Sequence, residues 1–456
     1  MQKVSSREIW NLTWPQVLMM LFQFLVGFTN VWVAGRIQGD VQAALGVAVQ
    51  CFFLLMVVGI SIANAAVSTM SQSLGAGRPL RAKRYLGLVI NLGGVLCLIT
   101  LLIGYFLRHQ LMYLLQVPDS ILDLTLHLWL FYLAGTPFQY AIAFSAAVFR
   151  AHKKVRIPLY TGMVVCAANF AGSFGLGLGR FGLPDLGVDG LALSALISSG
   201  AGAIYVFYML VRHGYLSRRS FAALRWQLGA AGYLIKVALP AGGNQFSWQL
   251  GQLAIIGVTA SLPWDNVNAM AGLTAGIRIE SILFLPAIAF SMTGTILVGH
   301  CLGSGDKEEA RRVGLKVLAV GCGIMTLVAL LLWPWVDELA AFMSPTSPAV
   351  QPQTISYVKI NLFATPFTVG SMILGGLLTG AGASIYPFVI YSAATWLVRL
   401  PVAWWLGHIV WQSSSGIFAS MLISQIVQCS IILYVFLRCD WARFSMYRTK
   451  PKARTA

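Results

Sequence analysis

Residues 74–84 read LGAGRPLRAKR, and residues 302–312 read LGSGDKEEARR. The two stretches are separated by half of the 456-residue chain. A further match follows in the same order at nearly the same spacing, because the TPF triplet of residues 136–138 returns at residues 365–367. Several ordered matches at one offset indicate a duplicated chain in which each half is one structural unit.

The composition of the chain is that of a membrane protein. Hydrophobic residues make up 58% of the sequence, charged residues only 10%, and the mean hydropathy is +0.76, whereas soluble domains carry about 25% charged residues. Twelve apolar runs lie between residues 13 and 437, and about 20 apolar residues suffice for a helix to cross the hydrocarbon core. We therefore expect an all-α integral membrane fold of twelve transmembrane helices, arranged as two pseudo-two-fold-related six-helix bundles.

The basic residues indicate the orientation of these helices. The net charge is +17, and most of the 31 Lys and Arg residues fall on alternate connecting segments and on the tail. Positive charge concentrates on the cytoplasmic side of membrane proteins, so we expect a multi-pass protein of the plasma (inner) membrane with both termini in the cytoplasm. The basic patches are then expected to meet anionic lipid and not nucleic acid. The predicted divisions are an N-terminal bundle at 1–211, a cytoplasmic linker at 212–231, a C-terminal bundle at 232–438 and a basic tail at 439–456.

The repeated Leu-Gly-x-Gly segments are expected to end helices. Gly77 and Gly305 lie where an apolar run gives way to a basic stretch, and glycine there allows a left-handed helix cap. Asp306 is placed to begin the following helix favourably. A phosphate-binding glycine loop would need a preceding strand and a following Lys-Ser/Thr pair, and the sequence has neither.

Motifs throughout the chain resemble the multidrug and toxic compound extrusion (MATE) family. They are Pro15, residues 33–36 (VAGR), the two Leu-Gly-x-Gly segments, and residues 149–151 (FRA), 186–190 (LGVDG), 278–280 (RIE) and 399–401 (RLP). This resemblance implies an antiporter that uses H+ or Na+ as coupling ion and expels amphipathic, often cationic, organic molecules. We expect the protein to be monomeric and to need no other cofactor.

The chain departs from the family's pattern at its acidic positions. Many members carry an Asp where this chain has Asn30, and some carry one where it has Ser173. An acid of the seventh helix, present in other branches, has no counterpart in residues 244–249. The identity of the coupling ion therefore cannot be transferred from the family to this chain.

One carboxylate is predicted to lie deep in the membrane. Glu280 falls about 11 residues into the eighth apolar run, or roughly 16 Å along a helix, where an ionisable group is costly and usually functional. It could exchange a proton or bind sodium, or it could form a static ion pair with Lys359 or Arg399. With Arg278, these are the four candidates for ion coupling. A cavity with three cations against one acid would tolerate zwitterionic or anionic cargo better than a carboxylate-lined cavity would.

Neutral polar and aromatic residues supply the candidate cavity lining for a small organic substrate. Each polar side chain in hydrocarbon must find a helix, water or ligand as partner, so bonding between helices is the alternative role. The candidates are Asn30, Asn64, Asn169, Asn244, Gln245, Gln249, Gln252, Trp248, Asn361 and Trp396.

The function expected from these features is secondary active efflux of organic compounds in exchange for H+ or Na+, by alternating access between the two bundles. The alternative is a flippase or exporter of a lipid-linked saccharide or another anionic metabolite, which the excess of intramembrane cations keeps open. No enzyme is expected, because the sequence has no cluster of acids and histidines that could activate a nucleophile or hold a metal.

Overall fold

The computed structural model describes residues 4–115, 117–343 and 348–447, and within these ranges the chain forms helices and no strand. The helices of the first half are α1 (Ser6–Ile37), α2 (Gly39–Gly75), α3 (Pro79–Phe106), α4 (Arg108–Leu114), α5 (Asp119–Ala151), α6 (Arg156–Gly175) and α7 (Gly187–Arg212). Those of the second half are α8 (Leu224–Ala260), α9 (Asn266–Gly303), α10 (Lys307–Leu332), α11 (Val336–Met343), α12 (Gln351–Gly380), α13 (Ile385–Val410) and α14 (Ser414–Arg438). Each half therefore has six long helices and one short helix, which follows the third long one.

Eleven of the described helices are long and apolar enough to cross a membrane. They coincide with eleven of the twelve predicted spans. The exception is α8, which is 37 residues long but carries amide side chains at positions 244, 245, 249 and 252. These side chains lower its hydropathy without preventing the helix.

The chain divides into two compact units, and their boundaries differ from the predicted ones. An N-terminal unit comprises residues 14–238, and a C-terminal unit comprises residues 1–13 with 239–456. Both boundaries fall inside a helix, one or two residues before Pro15 of α1 and Pro240 of α8. Proline removes a backbone hydrogen bond from a helix interior, so each boundary lies next to an interruption in the hydrogen bonding of its helix. The predicted linker at 212–231 is also too long, because α8 begins at Leu224.

The two units repeat the same helix contacts. In the N-terminal unit α5 packs against α2, α3 and α7, and in the C-terminal unit α12 packs against α9, α10 and α14. Pro137 lies inside α5 and Pro366 inside α12. The predicted duplication therefore extends from the sequence to the packing of each unit.

The cap prediction for the repeated glycines is confirmed. Gly77 and Gly305 have φ angles of 68° and 83°, in the region that a side chain would strain. After each, the next backbone N–H returns to a carbonyl of the last helical turn, at 2.9 Å for Arg78 and 3.1 Å for Asp306. The Asp306 carboxylate then accepts a hydrogen bond from the N–H of Glu309 at 2.9 Å, which caps α10.

The beginning of the predicted tail is packed against its own unit. Trp441 is 1% exposed, stacks on Phe436 at 5.0 Å and donates to the Phe436 carbonyl at 2.9 Å. At the other end of the chain, Thr13 is hydrogen-bonded to Thr293 at 2.9 Å, within the same unit. Residues 448–456 of the tail lie outside the described residues.

Candidate functional site

The carboxylate of Glu280 accepts a hydrogen bond from a tyrosine on the neighbouring helix. Tyr357 of α12 donates its hydroxyl to Glu280 Oε2 of α9 at 2.6 Å, and the Tyr357 side chain is almost wholly buried, with 2% exposed. A bond to a charged acceptor is worth about 1.5–3 kcal/mol. Glu280 is therefore held in place from α12, by a residue that the sequence analysis did not single out.

A glycine one turn before Glu280 lets the two helices approach this closely. A Cβ atom at Gly276 would lie 2.2 Å from a ring carbon of Tyr357, far inside van der Waals contact. The tyrosine ring also packs edge-on against Phe418 at 5.2 Å, so its position is fixed from two sides. The Glu280 site thus depends on a small residue at the α9–α12 contact, as is common where membrane helices pack.

Arg399 is the second charge that the structure places at this site. It ends a π-helical segment of α13, Ala394–Arg399, and is 6% exposed. Its Nε donates to the hydroxyl of Ser424 on α14 at 2.9 Å. Arg399 acts on Glu280 and Tyr357 electrostatically, but among the described residues it forms no ion pair within 4.0 Å. The static pair between Glu280 and Arg399, one of the alternatives left open by the sequence, does not form among the described residues, where the hydrogen-bond partner of Glu280 is the Tyr357 hydroxyl.

The other two candidate cations lie elsewhere. Lys359 donates to Asp337 of α11 at 3.1 Å, and both side chains are substantially exposed. Arg278 is exposed, on a different face of α9 from Glu280, as expected for residues two positions apart. Of the four predicted charges, Arg399 is the cation that acts on Glu280 electrostatically, whereas Lys359 pairs with Asp337 and Arg278 is exposed.

The amide candidates of the C-terminal unit form two groups. Asn361 lies one turn after Tyr357 on α12. Its side-chain amide donates to the Tyr357 backbone carbonyl at 3.0 Å, and its backbone carbonyl accepts from the Thr365 hydroxyl. These hydrogen bonds of Asn361 therefore stay within its own helix. Four amides and one aromatic ring lie along α8, where the Gln252 Oε1 is buried without a partner. These partly buried or exposed residues of α8 are Asn244, Gln245, Trp248, Gln249 and Gln252.

Trp396 joins the α8 face to α13. Its indole N–H donates to the Ser247 hydroxyl at 3.1 Å, and its side chain is 41% exposed. Trp248 on α8 is 47% exposed. Both aromatic candidates therefore retain ring surface that a flat molecule could cover.

The N-terminal unit encloses a small neutral cavity. Asn30 and Asn169 both line this space of about 80 Å³, together with Tyr132 and Gln139. The Asn30 side-chain oxygen accepts from Ser173 at 3.3 Å, whereas both polar atoms of Asn169 are buried without a partner. The last predicted candidate, Asn64 of α2, is partly buried and does not line this cavity.

Two residues of the N-terminal unit were not identified as candidates from the sequence. His127 of α5 lies 2.5 Å from Asp189 of α7, although the sequence showed no neighbour for it. Tyr132 lies one turn further along α5, beside Asn30. Pairing between helices of this kind has no signal in the spacing of residues along the chain.

Comparison with known proteins relates this geometry to a family. A sequence model named MatE matches residues 15–174 and 240–405. A protein of Thermotoga maritima named "Probable multidrug resistance protein NorM" is 24% identical over 96% of this chain and 93% of its own length. The "Uncharacterized transporter YisQ" of Bacillus subtilis is 22% identical over 94% of this chain and 93% of its own length.

Solved structures share the fold. The Vibrio cholerae MATE transporter VcmN in its bent form aligns with a TM-score of 0.88 over 96% of this chain and 98% of that one, at 21% identity. A MOP superfamily transporter from Pyrococcus furiosus, described as having a binding pocket of reverse polarity, aligns with a TM-score of 0.86 over 96% of this chain and 95% of that one, at 16% identity. The family match covers most of both halves and agrees with the motifs, the helix order and the repeated packing: the chain belongs to the MatE family of multi-pass membrane transporters.

Proposed function

We propose that this protein exports organic compounds from the cytoplasm in exchange for protons, and that Glu280 is the group that takes up and releases the proton. The observation that carries the proposal is the 2.6 Å hydrogen bond from Tyr357 to Glu280 between α9 and α12. Relatives named as multidrug resistance proteins, matching over more than 90% of the chain, support export as the direction of transport.

The arrangement around Glu280 favours a proton over sodium. Hard cations need several oxygen ligands at once, and Tyr357 presents a donor to this carboxylate while Arg399 adds a positive charge nearby. A single carboxylate with a neutral donor and a cation beside it can still alternate between its charged and protonated forms.

The N-terminal unit is proposed to contribute no ion coupling. At the two positions where the family resemblance implies an Asp in other members, it has Asn30 and Ser173, which bond to each other at 3.3 Å. Neither side chain changes charge with pH. Coupling would then be confined to the C-terminal unit, while the cavity at Asn169 accepts only neutral hydrogen-bonding groups.

Export of an anionic compound is the second candidate function. It is favoured by Arg399, which is 6% exposed and bonded only to a serine hydroxyl among the described residues. A buried guanidinium without a contacting carboxylate could receive an acidic group of the cargo. Efflux of anionic compared with cationic cargo distinguishes the two candidates.

Efflux from cells tests both candidates. Fluorescent organic cations and anions of matched size are loaded, and the proton and sodium gradients are collapsed separately. The proposal expects efflux to stop when the proton gradient is collapsed and to persist when the sodium gradient is collapsed. Efflux should be lost in Glu280→Gln. It should be kept in the control Glu338→Gln, which removes an exposed acid of the same unit. Dependence on sodium alone would overturn the proton assignment, and export restricted to anions would favour the second candidate.

A further inference from the structure

An open aromatic groove runs between α1 and α6 in the N-terminal unit, apart from the neutral cavity. Its volume is about 680 Å³, within the range of roughly 300–1,000 Å³ typical of small-molecule sites. Phe22, Phe28 and Trp32 of α1 line one side, and Cys166, Phe170 and Phe174 of α6 line the other. Asn30 and Asn169 point to the neutral cavity from other positions on the same two helices, so each helix has one polar and one aromatic face.

Three of the rings already form a row. Trp32 stacks on Phe174 with ring centroids 5.4 Å apart, and Phe174 lies 4.4 Å from Phe170. Aromatic pairs at such distances are worth about 0.5–1.5 kcal/mol beyond the area that they bury. A flat ring laid along this row would meet the edges of these rings, an arrangement that aromatic pairs favour, and these contacts would distinguish it from a saturated chain of equal size.

One charged residue lies at the end of the row. The Arg36 guanidinium is 4.9 Å from the centroid of Trp32; it is exposed and forms no ion pair with any described residue. No acidic side chain lines the groove. The charge at this site therefore attracts an acidic group and disfavours a cation.

We propose that the α1–α6 groove binds a flat aromatic compound that carries an acidic group. The rings lie against Trp32, Phe174 and Phe170, and the acidic group meets Arg36. As a recognition site for exported cargo the groove rests on the proposed function, but the binding can be measured without transport. The two proposals can therefore fail separately.

Cys166 provides a local reporter, because its partly exposed thiol lines the groove. The full chain, with its other six cysteines replaced by serine, is placed in phosphatidylcholine nanodiscs, and the rate of Cys166 alkylation by a maleimide is measured. The probe is 8-anilino-1-naphthalenesulfonate. N-phenyl-1-naphthylamine has the same rings without the sulfonate and serves as the matched neutral compound.

The proposal expects the sulfonate to slow alkylation about two- to fivefold more than the neutral amine does, which is the range for an exposed ion pair. Arg36→Gln should abolish that difference, and Phe170→Ala should weaken protection by both compounds. Phe207→Ala, which removes an equally exposed ring of α7, should leave protection unchanged.

Three results would overturn the proposal. They are protection by neither compound, equal protection by both in the unsubstituted groove, or a sulfonate advantage that survives Arg36→Gln. A separate arm replaces part of the phosphatidylcholine with phosphatidylglycerol and omits the dyes. If this lipid alone protects Cys166 as strongly as the sulfonate does, the groove is an anionic-lipid site and the aromatic assignment is wrong.

Discussion

Substitution of Gly276 by alanine should disrupt the Glu280 site without touching its charged groups. The added Cβ would lie 2.2 Å from the Tyr357 ring, whereas carbon atoms pack at about 3.5–4.0 Å. The ring cannot turn aside, because it is 2% exposed and packs against Phe418. A movement of more than 1 Å would break the 2.6 Å bond to Glu280.

The magnitude follows from three contributions. Overpacking costs about 1–3 kcal/mol, loss of a hydrogen bond to a charged group costs about 1.5–3 kcal/mol, and replacing glycine in a helix returns about 0.5–1 kcal/mol. The net loss of stability is about 2–5 kcal/mol. Thermal unfolding of the purified protein should show a midpoint lowered by several degrees, and cargo efflux should fall with it.

A matched glycine and a double-mutant cycle test the cause of this loss. Gly323 of α10 has no neighbouring atom within 4 Å of an added Cβ, so Gly323→Ala should leave the midpoint unchanged or raise it slightly. In a Tyr357→Ala background the clashing ring atoms are absent, so most of the stability loss caused by Gly276→Ala should disappear. Equal costs of Gly276→Ala in both backgrounds would refute the proposed contact.

The remaining predictions concern the N-terminal unit. Gly87→Ala places a Cβ 2.1 Å from the Ser220 carbonyl oxygen, so trypsin should cleave faster at Arg218–Ser220 than in the unsubstituted protein, and unchanged cleavage would refute the contact. His152 stacks on Tyr215 at 4.0 Å, and burial lowers its pKa. As pH falls, the unfolded chain therefore binds a proton at this histidine before the folded protein does. The free energy of unfolding should then decline below about pH 6.5. His152→Gln should reduce that decline, and the same dependence of stability on pH in this variant and in the unsubstituted protein would contradict the role of His152.

Much of the fold could be predicted from the sequence because apolar length and repeated motifs are local signals. The caps at Gly77 and Gly305 follow from residue type alone, and so do the apolar runs. The unit boundaries at Pro15 and Pro240 were missed, since the predicted division followed the polar linker and not the weak points inside the helices. The span α8 was predicted in spite of its amides, because its flanking residues remain apolar.

The candidate site was predictable only in part. Depth along a helix singled out Glu280, but its partner Tyr357 lies 77 positions away, on a helix whose rotation the sequence does not reveal. By sequence, Lys359 and Arg399 were equally suitable partners for Glu280. In the structure Lys359 pairs with Asp337, whereas Arg399 acts on Glu280 electrostatically. Contacts across helices decide such roles, and spacing along the chain does not carry that information.

The claim that one carboxylate of the C-terminal unit exchanges protons for cargo is tested most directly in proteoliposomes. Purified protein is reconstituted with a pH-sensitive dye in the lumen, and proton movement is recorded when a transported organic compound is added without sodium. The account predicts cargo-driven proton movement for the unsubstituted protein and for Glu338→Gln, and none for Glu280→Gln. Undiminished proton movement in Glu280→Gln would contradict it.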